Sequence, residues 1–187
     1  MAPRRKYSIA VEVHTYNKAG FYTISITGNC KSLEFSDGSS LCPEVRNIIS
    51  WGTLGYVNAA DMCLGCNGLE SISAELFAAI GTKTSSITFA ECFLDCVNLK
   101  SLPASLFDTV RRINYIDKCF SGCTSLTGES PYTVVTNADG EEVKVHLYER
   151  TRGDDFPNAP TSSSAHTDCF AGCQGLSDYA NIPEDWK

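Results

Sequence analysis

Four nine-residue segments of this chain align with one another without gaps, and this internal repeat restricts the possible folds more than any other feature. The segments run 61–69, 91–99, 118–126 and 168–176. A unit of this kind cannot bury its own apolar side, so we expect the copies to stack and bury it together. The matched columns are Met62, Cys92, Cys119 and Cys169; Cys63, Phe93, Phe120 and Phe170; Cys66, Cys96, Cys123 and Cys173; and Leu69, Leu99, Leu126 and Leu176.

The match extends beyond these segments. Successive copies start 30, 27 and 50 residues apart, so the last interval holds one unit and an insertion of about 20 residues. Downstream of the first two copies, Leu102 and Phe107 repeat Ile72 and Phe77, and 42–48 forms a degenerate earlier copy. Leu99, Leu102 and Phe107 are therefore predicted core residues.

Local patterns predict short elements within each unit. The segments 69–72 and 99–102 are predicted strands. Residues 73–80 are a predicted short helix with Ser73 as its N-cap, and Pro103 is suited to a first helical turn.

The spacing of Phe, Cys and Leu resembles the BspA-like leucine-rich repeats of bacterial surface proteins, whose unit runs approximately Ala-Phe-x-x-Cys-x-x-Leu-x-x-Ile. Cys92, Cys119 and Cys169 stand where that family has alanine. The resemblance covers the chain from Cys42 onward and implies a leucine-rich-repeat solenoid, with a parallel sheet on one side and short helices or turns on the other. Two features depart from it: the units are longer, and the block 128–167 is foreign to the family.

We expect a single domain, 1–187, in four parts. Residues 1–40 form an N-terminal β cap with a hairpin, because 7–13 and 21–27 alternate apolar and polar residues around a turn. Residues 41–127 are repeats, 128–167 an inserted β-hairpin and loop around Asp139-Gly140, and 168–187 the last repeat with a C-terminal cap. Tyr179, Ile182 and Trp186 are placed to cover that last repeat.

Ten cysteines in 187 residues would be a high count for a non-secreted protein. Their columns favour buried thiols, because free cysteine packs as a small hydrophobic residue. Disulfides and a zinc site are the alternatives, although stacked cysteines point their Cβ atoms in parallel, which disfavours bridging. Cys30 and Cys42 lie outside the columns and are the pair most worth checking.

Composition excludes some partners. A net charge of −7 and a pI near 4.9 argue against nucleic-acid binding, and no apolar run is long enough to span a bilayer. No signal peptide is recognisable at the N-terminus.

The sequence shows no phosphate loop, hydrolase triad or metalloprotease motif, and we expect no cofactor. His146 with Asp154 and Asp155 is a weak metal candidate beside the simpler interpretation of a solvated loop, and His166 is a predicted half-buried spacer rather than a catalytic base.

The insertion supplies the residue types that interfaces favour. The exposed strand positions beside the leucines are small or polar: Glu70, Ser71, Lys100, Ser101 and Thr127. By contrast, the insertion offers Tyr132, His146, Tyr148, Arg150 and Arg152 as candidate partner-binding residues. Alternation predicts that Val143, Val145 and Leu147 pack on the repeats while His146, Tyr148 and Arg150 face a partner. The alternative is that this hairpin only covers an edge of the repeat stack.

These observations lead to an expected function. The chain is predicted to be a non-enzymatic recognition or adhesion module for a protein or a glycan, on a cell surface, outside the cell or in a virion. A purely structural assembly or decoration protein is the second hypothesis, which would make the chain a homo-oligomer or part of a larger assembly, and an enzyme is the third.

Overall fold

The computed structural model describes residues 18, 20–23, 45–48, 58–78, 87–110, 112–151, 160 and 165–187, and the statements below concern these residues alone. Almost all of the expected N-terminal cap lies outside them, as do Cys30, Cys42, Arg152 and the Asp154–Asp155 pair. Within these residues, no helix is both long enough and apolar enough to cross a membrane.

Short strands and 3₁₀ turns are the regular elements of this part of the chain. The strands form two parallel pairs and one antiparallel pair: β1 (Asn47–Ile48) with β2 (Ser71–Ile72), β3 (Ile87–Thr88) with β4 (Ile113–Tyr115), and β5 (Tyr132–Thr136) with β6 (Glu142–His146). The 3₁₀ turns are Leu147–Glu149, Tyr179–Asn181 and Glu184–Trp186.

Backbone hydrogen bonds join each nine-residue copy to the next. The N–H of Cys63 donates to the carbonyl of Cys92 at 2.8 Å, and Phe93 and Phe120 donate in the same way to Cys119 and Cys169 at 2.8 and 2.9 Å. A second ladder runs after the column leucines, where Lys100 N–H donates to the Glu70 carbonyl at 3.2 Å. The copies therefore lie against one another in chain order.

Two residues of every copy have left-handed backbone conformation, which explains this geometry. The first residue of each copy has φ between 50° and 58°, and the fifth has φ between 59° and 81°. These bends turn the N–H groups of positions 1, 3 and 5 toward the following copy, as seen for Asp61, Cys63 and Gly65. The left-handed residues are Asp61, Glu91, Lys118 and Asp168 at position 1 and Gly65, Asp95, Gly122 and Gly172 at position 5.

The column that holds Phe93, Phe120 and Phe170 builds a stack of aromatic rings through the core. Phe93 and Phe120 lie 5.4 Å apart between ring centroids, Phe120 and Phe170 lie 5.5 Å apart, and both pairs are nearly parallel. Trp186 continues the stack 6.3 Å from Phe170, and its carbonyl accepts the Phe170 N–H at 2.7 Å. The C-terminal segment thus occupies the place of a further copy, and Ile182 and Trp186 cover the last repeat as expected.

The predicted core is confirmed, whereas part of the predicted secondary structure is wrong. Leu99 and Phe107 are fully buried and Leu102 is 7% exposed. However, the 69–72 strand shortens to Ser71–Ile72, and 99–102 forms no strand.

The predicted helix after Ser73 is also wrong. Its residues 74–78 form consecutive turns, in which Leu76 N–H donates to the Ser73 carbonyl and Ala78 N–H to the Glu75 carbonyl. The Ser73 hydroxyl accepts the N–H of Glu75, which makes a local turn rather than a helix cap. So short an apolar segment is held by its packing and not by helix propensity, which is too weak to nucleate an α-helix here.

Candidate functional site

The inserted hairpin starts where the first two copies have their turns. The N–H of Tyr132 at the start of β5 donates to the Ala104 carbonyl at 2.9 Å, which ties the hairpin to the second copy. Leu147, just after β6, is fully buried in the core. These two contacts fix the base of the hairpin, while its turn around Gly140 is exposed.

A cluster of polar side chains lies under this base. Asp178 from the last repeat accepts hydrogen bonds from the Ser130 hydroxyl at 2.5 Å, the Ser130 N–H at 3.0 Å and the Tyr148 hydroxyl at 3.4 Å. His146 Nδ1 lies 3.2 Å from Asp178 Oδ2 and 3.0 Å from the Ser130 hydroxyl. Ser130 is fully buried and Asp178 is 6% exposed.

The Ser130, His146 and Asp178 side chains are those of a hydrolase triad, but their geometry is different. A triad serine contacts one imidazole nitrogen and the aspartate the other. Here the Ser130 hydroxyl and the Asp178 carboxylate both lie next to the same nitrogen, His146 Nδ1. The Ser130 hydroxyl donates a hydrogen bond to Asp178. Through these contacts the cluster joins the hairpin to the last repeat.

Aromatic contacts extend this polar cluster. The His146 ring stacks on Tyr148 at 5.2 Å and tilts against Tyr132 at 5.5 Å. Burial, reinforced by the nearby Asp178 carboxylate, raises the pKa of Tyr148. The tyrosine is therefore a neutral hydrogen-bond donor in this setting.

Arg150 anchors the hairpin through a second set of polar contacts. Its guanidinium has no exposed surface, lies 3.3 Å from the Asp108 carboxylate and donates to the Thr133 hydroxyl, which itself donates to Asp108. Burial lowers the pKa of Arg150, and the Asp108 carboxylate opposes that shift. This ion pair joins the residue after the hairpin to the second copy.

The predicted division of the hairpin into a packed and a partner-facing side is therefore wrong. Strand alternation ends at His146, because Leu147–Glu149 form a 3₁₀ turn that buries Leu147 and redirects Tyr148 and Arg150 inward. Val143 and Val145 do not join the core cluster and remain half exposed. Tyr132 and His146 are half-buried by residue, Arg150 is buried, and Arg152 lies outside the described residues.

The partners that hold these residues could not be identified from the sequence. Ser130, Asp178 and Asp108 each occur in ordinary polar stretches, and no spacing in the sequence connects them with the hairpin. Tyr115 on β4, which is 47% exposed, was likewise not identified from the sequence. The one sequence feature that marks Tyr115 is its position between Ile113 and Ile116, both of which are completely buried.

Tyr115 continues a row formed by Asn58, which is exposed, and Thr88, which is half-buried, in the preceding copies. Thr88 pairs with Tyr115 across the parallel strands, and Asn58 forms a parallel bridge with Thr88. The Asn58 and Thr88 side chains accept the N–H of Ala60 and Ala90, so they are held by local turns. We call Asn58, Thr88 and Tyr115 the Tyr115 row. Its backbone is fixed, since Phe89 N–H donates to the Tyr115 carbonyl at 2.7 Å.

The exposed positions beside the leucines carry polar contacts among themselves. Glu70 bonds to Lys100 at 2.6 Å and to Arg46 at 3.1 Å, and the Lys100 contact is the main reason that the pKa of Glu70 is lowered. Such exposed ion pairs contribute little stability.

The eight column cysteines of the described residues are buried free thiols. The thiols of Cys96, Cys123 and Cys173 donate to backbone carbonyls of the preceding copy at 3.0–3.2 Å. Burial raises the pKa of Cys173 to about 12, and raises the pKa of Cys63, Cys119 and Cys169 well above 9.0. Thiolate is the reactive form, so burial and a raised pKa both lower the reactivity of these four thiols.

His166 is more buried than the half-buried spacer that the sequence predicted, with 9% of its surface exposed. Its Nε2 lies 2.9 Å from Asp185 Oδ2, and its ring stacks on Trp186 at 4.3 Å. The hydrogen bond with His166 lowers the pKa of Asp185. This histidine therefore holds the C-terminal cap.

No group of three or more His, Cys, Asp or Glu side chains suited to a metal ion occurs in the part of the chain described above. Scans of this chain against protein-family models, curated proteins and solved structures gave no match.

Proposed function

We propose that the chain is a leucine-rich-repeat solenoid of the BspA-like kind and works as a non-enzymatic recognition module for a protein or a glycan. The observation that carries this proposal is Tyr115, an exposed aromatic side chain on a backbone fixed from both sides. Tyrosine is favoured at interfaces because it offers a large contact area at low cost in side-chain entropy.

The surroundings of Tyr115 support this role. The flanking Ile113 and Ile116 are buried without exposed surface, so the strand does not need to become ordered when a partner binds. Asn58 and Thr88 extend the row with polar atoms. Glu91 and Lys118, the first residues of two neighbouring copies, lie 3.6 Å apart. A planar aromatic ring beside polar groups suits both a sugar ring and a peptide.

The chemistry of the buried groups favours recognition over catalysis. Burial raises the pKa of the Cys63, Cys119 and Cys169 thiols. The His146 and His166 rings each contact an aspartate that anchors the hairpin or the C-terminal segment. A nucleophile needs an accessible, activated atom with a base beside it. The buried thiols and the two histidines instead make contacts that stabilise the fold.

The proposed setting is a cell surface, the extracellular space or a virion, as the family resemblance suggests. A repeat scaffold presents the same position of successive copies in one row, which suits an extended partner surface. The Tyr132, His146, Tyr148 and Arg150 group that sequence patterning favoured is less suited to this task, because its side chains are occupied in the locks.

Binding to a printed oligosaccharide array and to a panel of purified cell-surface proteins tests the proposal. The strongest ligand is measured again with Tyr115→Ala, and we expect the dissociation constant to rise about tenfold or more, with Tyr115→Phe in between. Val134→Ala is the control, because Val134 is similarly exposed on the hairpin. Equal binding by wild type and Tyr115→Ala contradicts the assigned surface, and turnover of a ligand contradicts a non-enzymatic role.

The structural-assembly hypothesis also has an observation in its favour, namely that no other strand among the described residues pairs with the β5–β6 hairpin.

A further inference from the structure

We propose that the hairpin is a dimerisation element, in which β6 pairs antiparallel with β6 of a second copy around a two-fold axis at Val143. The two hairpins then form one four-stranded sheet. This pairing is independent of the recognition role of Tyr115. Three features of the hairpin support it: the direction of its backbone groups, its charges and its valines.

The backbone direction follows from two hydrogen bonds at the base of the hairpin. The N–H of Tyr132 donates to Ala104, and the N–H of His146 donates to the Glu149 carboxylate at 2.8 Å, so both point away from the facing strand. Alternate residues of an antiparallel strand point the same way. Because Tyr132 faces His146 in the register, the backbone groups of Glu142 and Lys144 also point outward.

In the part of the chain that the structure describes, no strand pairs with the outer edge of β6. Among the described residues, no backbone hydrogen bond from outside the hairpin reaches Glu142 or Lys144. The outer edge of β5 is already used at Tyr132 by the second copy. An open edge is a template for another strand, and here the open edge is that of β6.

Charge favours a second copy as the strand that occupies it. A two-fold axis at Val143 places Glu142 opposite Lys144 of the second copy, and Lys144 opposite Glu142. Each such pair exchanges two backbone hydrogen bonds and sets opposite charges side by side. The alternative axis at Lys144 would place two lysines face to face, so charge selects the register at Val143.

The valines give the same register. Val135 faces Val143 across the hairpin, and both are half exposed and outside the core cluster. With the axis at Val143, this residue meets its own copy, and the four valines of the two chains form one row across the sheet. Rows of β-branched residues stabilise neighbouring strands.

The expected dimer is weak and reversible. One strand edge buries less area than the roughly 1,200–2,000 Å² of a stable interface. Each chain carries a net charge of −7, but salt at physiological strength screens repulsion beyond about 8 Å. Dimerisation should therefore depend on concentration, and the hairpin pairs themselves should decide it.

Sedimentation equilibrium of the full chain with a charge swap tests this pairing. Glu142→Lys and Lys144→Glu should each raise the dimer dissociation constant about tenfold or more, because like charges then face each other. The double variant should recover wild-type association. Lys144→Glu also disturbs the contact with Glu129, whereas Glu142→Lys does not, so agreement between the two assigns the effect to the interface. Thr124→Lys, an exposed change in a repeat turn, is the control and should dimerise as wild type does.

Crosslinking fixes the register independently. Val143→Cys places two thiols opposite each other across the axis, while Val145→Cys, on the same face of the same strand, places each opposite Glu141. Mild oxidation should give a covalent dimer with Val143→Cys and little with Val145→Cys or wild type. The pairing is refuted if wild type stays monomeric at the highest soluble concentration, if the double variant fails to recover, or if both cysteine variants crosslink equally.

Discussion

The stacked copies and the inserted hairpin are held by different interactions. In the copies, the column cysteines, phenylalanines and leucines are buried, and backbone ladders join neighbours on two sides. In the hairpin, Leu147 enters the core completely, and the rest is fixed by the polar cluster at Asp178 and the ion pair of Arg150. Apolar burial therefore holds the stack together, whereas a few polar contacts set the orientation of the insertion.

The largest expected effect is a break in the aromatic stack. Phe120→Ala removes the ring between Phe93 and Phe170 and should lower the free energy of unfolding by about 3–5 kcal/mol, since the close-packed stack cannot refill the space. Leu99→Ala should cost about 2–5 kcal/mol for the same reason. Urea denaturation measures both.

Val134→Ala on the hairpin is the matched control. Val134 is 52% exposed, so its truncation should change stability by about 0.5 kcal/mol or less. Comparable losses at Phe120 and Val134 would contradict the division between an apolar stack and a polar-anchored insertion.

Loss of the polar lock should come next in size. Asp178→Ala leaves the buried Ser130 hydroxyl and the Tyr148 hydroxyl without their acceptor, which should cost about 1–3 kcal/mol. Hydrogen exchange should accelerate in β5 and β6 more than in the aromatic stack. Asp178→Asn keeps one acceptor oxygen and should lose less.

Glu129→Ala serves as a control for this variant, because it removes an exposed ion pair with Lys144 and should cost under about 1 kcal/mol. Unchanged exchange in β5 and β6 of Asp178→Ala would show that the hairpin is held by other contacts.

The two regions also differ in how well the sequence predicts them. The copies repeat the same side chains at the same positions, so the core residues Leu99 and Phe107 can be identified without a structure. The Asp139-Gly140 pair similarly indicated the hairpin turn. In both cases a local pattern carries the information.

The anchors of the hairpin could not be predicted in this way. Ser130 contacts Asp178 across 48 residues and Arg150 contacts Asp108 across 42, and neither pair repeats. The turn at Leu147–Glu149 ends the strand alternation after His146, and the apolar and polar pattern simply continues through it. Single long-range polar contacts leave no periodic signal.

The buried thiols of the stack should make the stability of the protein depend on pH. The folded pKa values of Cys63, Cys119 and Cys173 are raised above the ordinary 9.0, so folding favours their protonated form and the associated stability is fully present below about pH 9. As pH rises beyond 9 the unfolded chain loses these protons first, and stability should fall by about 1.4 kcal/mol per pH unit for each such thiol, until the folded pKa is reached.

Urea denaturation between pH 8 and 11 measures this slope. Cys173, whose folded pKa is about 12, provides the single-thiol test: Cys173→Ala should flatten the pH dependence by one proton. The hairpin contains no cysteine, so Cys173→Ala should not change how the local stability of the hairpin depends on pH. An unaltered slope in Cys173→Ala would contradict a buried, protonated thiol at this position.

The smallest expected difference separates two glycines with similar backbone conformation. Gly140 in the hairpin turn has φ of +83°, and Gly122 in the third copy has φ of +74°. Alanine at either position should cost about 1–2 kcal/mol, because a Cβ is disfavoured in the left-handed region. At Gly140 a Cβ would meet no atom within 4 Å, whereas at Gly122 it would lie 2.1 Å from Asp95 Oδ1 of the preceding copy. The aspartate can rotate away, so the excess loss at Gly122 should be modest, about 0.5 kcal/mol or more, and it should disappear in an Asp95→Gly background.

Urea denaturation of the single and double variants gives this coupling energy. A coupling of zero would mean that adjacent copies are not in contact at this turn, and an equal coupling between Asp95 and Gly140 would remove the distinction between the crowded stack and the open hairpin.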